Sequence, residues 1–142
     1  MKLGSVVIIG LALWTSPVLA APACTQRTTT GSWVFKCEGE LPLGTPMRSL
    51  GSCEASGQAY WRCAGQVNSG GVILQQEVEG QAINHADCTG TIVYDQKING
   101  QPAPQIEINY VILDHGNTLW GLPLSSGGVL ACVLQRIDRG TR

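Results

Sequence analysis

The sequence predicts an all-β protein in which eight antiparallel strands close into an up-and-down barrel. Apolar residues alternate with polar ones at period two, in short runs separated by glycine-rich or polar turns, which is the pattern of a sandwich or barrel. Helical periodicity is almost absent after residue 20, where glycine, valine, isoleucine and threonine are frequent. A closed sheet is favoured over an open one because closure leaves no exposed edge strand.

Eight runs fit strands, and short turns such as Asn99-Gly100 and His115-Gly116-Asn117 connect most neighbours. Turns of this kind join consecutive strands as antiparallel hairpins, so the predicted topology is a meander. The predicted strands span residues 31–38, 45–54, 58–68, 72–79, 88–98, 105–114, 118–124 and 128–137.

The first twenty residues predict export. Lys2 precedes an apolar stretch over residues 3–14, and Pro17 and Ala20 follow it, as in a signal peptide cleaved after Ala20. This stretch is too short to cross a bilayer and no later one is long enough. We therefore expect a secreted, extracellular protein with a signal peptide at residues 1–20 and one barrel domain at residues 21–142.

Composition excludes several kinds of partner and cofactor. The net charge is −1 and no basic run occurs, which disfavours nucleic acids and anionic membranes as partners. No glycine-rich phosphate loop is present. Zinc is disfavoured because closely paired ligands are absent, the shortest cysteine gap being Cys53 to Cys63. We expect neither a metal nor another cofactor.

Six cysteines in an exported chain predict three disulfides. Fifteen pairings are possible, and the strand order favours one set. A bond between Cys37 in the first strand and Cys132 in the last would close the barrel seam. Cys53 and Cys63 would then bridge one hairpin, and Cys24 would attach the N-terminal arm to Cys88.

Alternation places both tyrosines of the fifth and sixth strands inside. Tyr94 and Gln96 share one strand face with Ile92 and Ile98, and Tyr110 shares one with Ile106, Ile108 and Ile112. The opposite faces carry charged and amide side chains, so the apolar faces should point inward.

Part of the outer face is also predicted to be apolar. The residues expected there are Val93, Val111, Leu113, Leu119, Leu130 and Leu134. A sheet that is apolar on both faces is usually covered by a neighbour. Either a second copy in a homo-oligomer or the N-terminal arm, residues 21–30, would provide that cover.

Three groups of polar residues are weak catalytic candidates. Ser125 and Ser126 lie in a glycine turn without the Gly-x-Ser-x-Gly elbow of hydrolases. His85 and His115 are the only histidines; both lie in connections, and His115 beside Asp114 would be a proton shuttle only if its turn overhung a barrel mouth. Glu77 and Glu79 share a strand face, but it is the solvated one.

The predicted interior contains aromatic, amide and phenol groups, as binding cavities do. The residues expected there are Trp33, Phe35, Gln76, Tyr94, Gln96, Tyr110, Trp120 and Gln135. Arg62 is ambiguous: facing inward with Tyr60 it would be a buried cation, whereas if Trp61 faces inward Arg62 lies on the surface. Eight strands permit either a hollow interior or one filled by isoleucine.

The segment DCTGTIVYDQKINGQPAP…INYVILDHGNTLWGLPLSSGGVLACVLQRI resembles the C-terminal half of small exported microbial β-proteins. The resemblance covers the last third of the chain and depends on turn residues and a cysteine, namely Asp87, Cys88, Thr89, Gly90, Asp114, Gly121, Leu122 and Pro123. It implies an architecture and no particular chemistry.

The strand count and order also resemble calycin-like barrels, namely the lipocalins and the allene-oxide-cyclase and dirigent barrels. Gly31-Ser32-Trp33 matches the lipocalin Gly-x-Trp near the first strand. This resemblance implies binding of an apolar small molecule, and in some such barrels a cofactor-free cyclisation or coupling, although a shared fold does not establish a shared function.

Together these features predict a secreted barrel that binds an apolar, oxygen-bearing small molecule. It would act as a cyclase or isomerase if hydrogen bonds to a bound carbonyl came from Tyr94, Tyr110 and Gln76 and, where it faces inward, from Arg62. Orienting the reacting ends would then remove much of the entropic barrier. A non-catalytic carrier and an extracellular effector with a solid core remain open as alternatives.

Overall fold

The computed structural model describes residues 23–124 and 128–138 and contains a closed barrel of eight strands in the order β1 to β8. Every strand is antiparallel to its neighbours, and β1 also pairs with β8. The predicted barrel is therefore confirmed. The strands are β1 Gly31–Leu41, β2 Thr45–Ala55, β3 Tyr60–Ser69, β4 Val72–Asn84, β5 Thr89–Ile98, β6 Gln101–Leu113, β7 Thr118–Pro123 and β8 Val129–Asp138.

The short connections leave the barrel with two different ends. The turns after β2, β4 and β6, together with an N-terminal 3-10 turn at Gln26–Thr29, lie at one end, which we call the closed end. The turns after β1, β3 and β5 lie at the other, which we call the mouth. The predicted strands stop several residues early in β4 and begin late in β6. At the end of β4 the apolar pattern is misleading, because the polar Asn84 is buried while Ile83 is exposed, and at the start of β6 Pro102 and Pro104 interrupt the strand pattern.

A β-bulge bends the hairpin of β5 and β6 near the mouth. The register shifts between Tyr94 and Gln96 on β5, so Tyr94 pairs with Ile106 while Gln96 pairs with Ala103. The one extra residue on β6 increases the local twist. This bend brings Ala103 and Pro104 to the rim of the barrel interior.

All three predicted disulfides are present. Cys37 bonds Cys132 across the β1–β8 seam, and Cys53 bonds Cys63 across the β2–β3 hairpin. In both cases the two cysteines are direct cross-strand partners. Cys24 bonds Cys88 and so attaches the N-terminal arm to the start of β5. These bonds are compatible with an oxidising, extracellular location.

The predicted signal peptide and the candidates Ser125 and Ser126 lie outside the described residues. Among the residues that are described, no helix has the length and apolar character needed to cross a bilayer.

Candidate functional site

Two indole rings fill the closed end of the barrel. Trp33 on β1 and Trp61 on β3 are fully buried, and their ring centroids lie 5.6 Å apart. The Trp33 Nε1 hydrogen is donated to the Thr29 carbonyl oxygen at 2.9 Å. Trp33 is therefore inside the barrel as predicted, but it belongs to the packed end.

Arg136 closes this end from β8. Its guanidinium lies 4.6 Å from the centroid of the Trp33 ring, a cation–π distance. The same group donates hydrogen bonds to backbone carbonyls of the N-terminal arm and of the turn after β6, namely those of Thr28, Thr30 and Gly116. The cation is thus partnered, and it holds the arm across the closed end.

Further buried side chains belong to the same core cluster as the two indoles. Ile92, Ile112 and Leu119 are buried there, and the hydroxyl of Tyr110 is donated to Oδ1 of buried Asn84. Asn84 in turn donates to the arm, including the Thr25 carbonyl at 2.9 Å. Tyr110 is inside as predicted, but its hydroxyl is used to join the barrel wall to the N-terminal arm.

The half of the barrel nearer the mouth is hollow. A cavity of about 370 Å³ opens there, near the lower end of the roughly 300–1,000 Å³ range of small-molecule pockets. Its rim is formed by residues from the mouth ends of the strands, namely Leu41, Met47, Leu74, Ile98, Pro104 and Pro123. The expectation of a filled interior therefore holds for one half of the barrel and the expectation of a hollow one for the other.

The cavity wall is apolar with a few uncharged polar groups. Phe35, Gln76, Tyr94 and Gln96 line it as predicted. Gln76 Nε2 donates to Gln96 Oε1 at 3.2 Å, and Gln96 Nε2 donates to the Pro104 carbonyl at 2.6 Å. None of the described residues lining the cavity carries a charge.

Tyr94 differs from Tyr110 in that its hydroxyl has no hydrogen-bond partner among the described residues. The Tyr94 side chain is 6% exposed and lines the cavity. Burial, and secondly the proximity of Tyr110, raise the pKa of the Tyr94 phenol far above its ordinary value. Burial raises the pKa of Tyr110 as well. Tyr94 is therefore a neutral hydrogen-bond donor at the inner end of the cavity.

A small void lies between the packed half and the cavity. Its volume is about 20 Å³, and Trp61, Tyr94 and Tyr110 all line it. The buried Nε1 of Trp61 has no hydrogen-bond partner among the described residues. A void of this size holds one water molecule, and both Trp61 and Tyr94, whose donors have no partner among the described residues, line it.

Three predicted site residues lie on the outer surface instead. Trp61 faces inward, so Arg62 faces solvent, where its Nε lies 3.7 Å from a Glu79 carboxylate oxygen. Trp120 is 58% exposed and Gln135 is also exposed. The placement of Trp120 and Gln135 inside the barrel was therefore wrong, and Arg62 is not a buried cation.

The error for β7 and β8 has a physical cause. Leu119 and Gly121 point inward on β7, as do Leu130 and Leu134 on β8, so the expected outward placement of Leu119, Leu130 and Leu134 was also wrong. Both strands are apolar at consecutive positions, so alternation cannot assign their faces. The signal was in the Cys37–Cys132 pair, which requires Cys132 to share the inner face with Trp33 and Phe35.

The histidines and the glutamate pair are remote from the cavity. His85 and His115 are exposed in turns at the closed end, so His115 does not overhang the mouth. Glu77 and Glu79 lie on the outer wall, and Glu79 accepts a hydrogen bond from the Tyr60 hydroxyl at 3.1 Å. Within the described ranges no three His, Cys, Asp or Glu side chains are arranged to hold a metal ion.

A larger concavity of about 610 Å³ lies on the outer wall of β2 to β6. Exposed charged side chains line it, including Glu54, Arg62, Glu77 and Lys97. We assign the candidate site to the inner cavity, because an enclosed apolar wall with few polar groups is typical of ligand sites, whereas charges of both signs on an outer wall are typical of a solvated surface.

Sequence reasoning missed several cavity residues. Ser49 on β2 is 3% exposed, and it lines the cavity together with Met47 and Val67. Their alternation on the inner faces of β2 and β3 was the available signal. The wall around them includes both seam and hairpin disulfides, Cys37–Cys132 and Cys53–Cys63.

No protein-family model, curated protein or solved structure matches this chain. The architecture is consistent with a calycin-like shape. The resemblance to exported microbial proteins, and to any particular calycin-like family, stays a prediction.

Proposed function

We propose that this protein is a secreted barrel that binds an apolar small molecule carrying an acceptor oxygen, with the ligand inside the mouth half of the barrel. The observation that carries the proposal is the pairing of a 370 Å³ uncharged cavity with the hydroxyl of Tyr94, a buried side chain that lines it and has no hydrogen-bond partner among the described residues. The fully buried donor without a partner among the described residues is Trp61 Nε1, so the Tyr94 hydroxyl keeps access to the cavity. A ligand oxygen that enters the cavity can therefore accept its hydrogen bond.

The wall chemistry supports an apolar ligand body. Aliphatic side chains, Phe35 and two disulfides surround the space, so a polar or charged ligand would lose its hydration without compensation. The volume equals on the order of a dozen water-sized groups, which favours a compact molecule with one or two rings over a long chain.

The donor supports a carbonyl or ether oxygen. The raised pKa keeps the Tyr94 phenol protonated, so it donates a hydrogen bond and repels an anion less than a phenolate would. The amides of Gln76 and Gln96 already hydrogen-bond one another and the Pro104 carbonyl. Each of these amides keeps a second hydrogen and the Ser49 hydroxyl also lines the cavity, whereas Tyr94 is the donor at the inner end of the cavity.

Binding without chemical conversion is the function that these groups support best. Arg62 lies outside the barrel, and Tyr110 donates to Asn84, so the three candidates for catalysis reduce to Tyr94. The second candidate function is cofactor-free cyclisation or isomerisation. The Tyr94 hydroxyl supports it, because a hydrogen bond that holds a carbonyl also polarises it.

The binding proposal is tested with a matched pair of ligands, hexylbenzene and its ketone analogue hexanophenone, each competing with the neutral dye N-phenyl-1-naphthylamine. Tyr94→Phe should weaken the binding of hexanophenone by roughly 3- to 10-fold, the equivalent of one neutral hydrogen bond. The affinity for hexylbenzene should be unchanged. Tyr60→Phe is the control, since its hydroxyl lies on the outer wall. Equal losses for both ligands, or none, would contradict the assigned role of Tyr94.

Adjacent residues on β4 test the location of the site. Leu74 lines the cavity, whereas Ile73 points outward and is 63% exposed. Leu74→Trp should fill the mouth and abolish dye binding, and Ile73→Trp should preserve it. Dye that binds equally to both variants would place the site elsewhere.

The catalytic candidate is tested separately. The purified protein is incubated with a conjugated polyene ketone or a quinone methide, and product ratios are compared with those of the Tyr94→Phe variant and of buffer. Ratios identical in all three reactions would exclude catalysis of these substrates and leave the carrier function.

A further inference from the structure

We propose that the outer wall of β6, β7 and β8 is the interface of a homodimer, in which a second copy of this chain covers the apolar side chains exposed there. This wall lies on the opposite side of the sheet from the ligand cavity. On the outward face of β7, Trp120 and Leu122 are 58% and 61% exposed.

The exposed residues form one continuous surface. Trp120 is the direct cross-strand partner of Val111 on β6 and of Val133 on β8, so their side chains are neighbours on the outside. Further outward positions on the same strands extend this surface. We call the set the β6–β8 patch; it consists of Val111, Leu113, Trp120, Leu122, Leu124, Val129 and Val133.

The patch is large for a monomer. Its side chains are between 37% and 82% exposed, which corresponds to roughly 700 Å², compared with about 300–600 Å² for the largest apolar patch of a typical monomer. A standard interface buries about 800 Å² on each partner. One copy therefore offers nearly the area that a specific dimer requires.

Both β7 and β8 are apolar on both faces. Leu119 and Gly121 point inward on β7 while Trp120 and Leu122 point outward, and such strands normally have both faces covered. The described part of the N-terminal arm lies across the closed end, where Asn84 and Arg136 hold it. It leaves the patch exposed, so within the described residues the arm does not provide the predicted cover.

The distribution of charge favours a second copy over a lipid surface. The outward residues of β7 are uncharged, and so are those of β8 from Val129 to Ile137. The centre of an interface is usually uncharged as well. The rim carries Lys36 paired with Glu38 at 2.5 Å, and exposed Glu107. A helix or wall that binds anionic lipid is instead rich in Lys and Arg.

Trp120 reports directly on the interface. The sequence has four tryptophans; Trp14 lies in the predicted signal peptide, and Trp33 and Trp61 are fully buried. In the secreted form, quenching by acrylamide should therefore come from Trp120. We expect the quenching constant to fall as protein concentration rises across roughly 1–500 µM, the range of weak to moderate dimers, in step with dimer formation in sedimentation velocity.

Trp120→Asp should weaken association at least tenfold. Ile73→Asp is the matched control, because Ile73 is equally exposed at 63% but lies on β4; it should dimerise like the unaltered protein. Val133→Asp provides a second interface variant in case Trp120→Asp fails to fold. A monomer at every concentration with Trp120 always quenchable overturns the proposal, and so does Trp120-dependent binding of the monomer to phosphatidylcholine–phosphatidylglycerol vesicles.

Discussion

The two cross-strand disulfides provide a sharp test of how the barrel is stabilised. In both, the cysteines are direct strand partners with Cα atoms 4.0 Å apart, but the chain separations are 95 residues for Cys37–Cys132 and 10 for Cys53–Cys63. A disulfide stabilises mainly by restricting the unfolded chain, and longer loops are restricted more. Each cysteine pair is replaced by two alanines. The two replacements disturb the folded barrel to a similar extent, but they release unfolded-chain loops of different length.

The magnitude follows from the length of the loop that each bond closes. For 10 residues, the chain-entropy relation gives about 2.7 kcal/mol at 25 °C. The Cys24–Cys88 bond shortens the loop closed by Cys37–Cys132, since the chain can run 13 residues from Cys24 to Cys37 and 44 from Cys88 to Cys132. That shorter route gives about 4.2 kcal/mol. The seam variant should therefore be about 1.5 kcal/mol less stable than the hairpin variant.

Urea unfolding without reductant measures this difference. Fluorescence of the buried Trp33 and Trp61 follows the transition, and a slope of about 1.5 kcal/mol per molar urea would separate the two midpoints by roughly 1 M. Both variants should fold and bind the apolar dye. Equal losses, or a larger loss for the Cys53–Cys63 variant, would refute the chain-entropy reasoning.

Two further perturbations probe the packing of the tyrosines. Gly90→Ala should lower the free energy of unfolding by about 1–3 kcal/mol, as overpacking of a core does, because the new Cβ would overlap the Tyr110 ring. Thermal unfolding measures this loss. The control is Gly57→Ala, whose Cβ would meet no atom within 4 Å and which should be nearly neutral. Burial raises the pKa of Tyr94 and Tyr110 in the folded state, so their protonated forms contribute stability that is complete below about pH 10 and is lost as pH rises further. As pH rises beyond that value, the urea concentration at the unfolding midpoint should decrease, in parallel with tyrosine ionisation measured by absorbance. A midpoint that stays constant to pH 11.5 would contradict the burial of the two phenols.

Much of the candidate site could be predicted from alternation alone. β5 and β6 have charged or amide residues on one face and apolar residues with tyrosines on the other, so Tyr94, Gln96 and Tyr110 were correctly placed inside. Phe35 and Gln76 follow from the same argument. Hairpin turns gave the strand order, and the strand order gave the disulfides, because it makes Cys37 and Cys132 neighbours across the seam.

The remaining features depended on contacts between distant residues. Hydrogen bonding does not follow from alternation, so the difference between Tyr110, which donates to Asn84, and Tyr94, which has no partner among the described residues, was not predictable. The position of the cavity depends on size matching across the barrel. Trp33 and Trp61 meet at the same end and fill it, while smaller residues such as Ser49 and Ala103 leave the other end open.

The sequence by itself determined the strand number, the meander and the covalent links, since period-two alternation and short turns are local properties of the chain. Only the tertiary structure decided which faces of β7 and β8 point inward, which half of the barrel is hollow and which phenol is available to a ligand. The physical reason is that these features depend on closure. At the inward position of Gly121, a Cβ would approach a methyl group of Ile108 to 2.8 Å, so only glycine fits there without a shift. That restriction exists only once β6 and β7 are paired within the closed barrel.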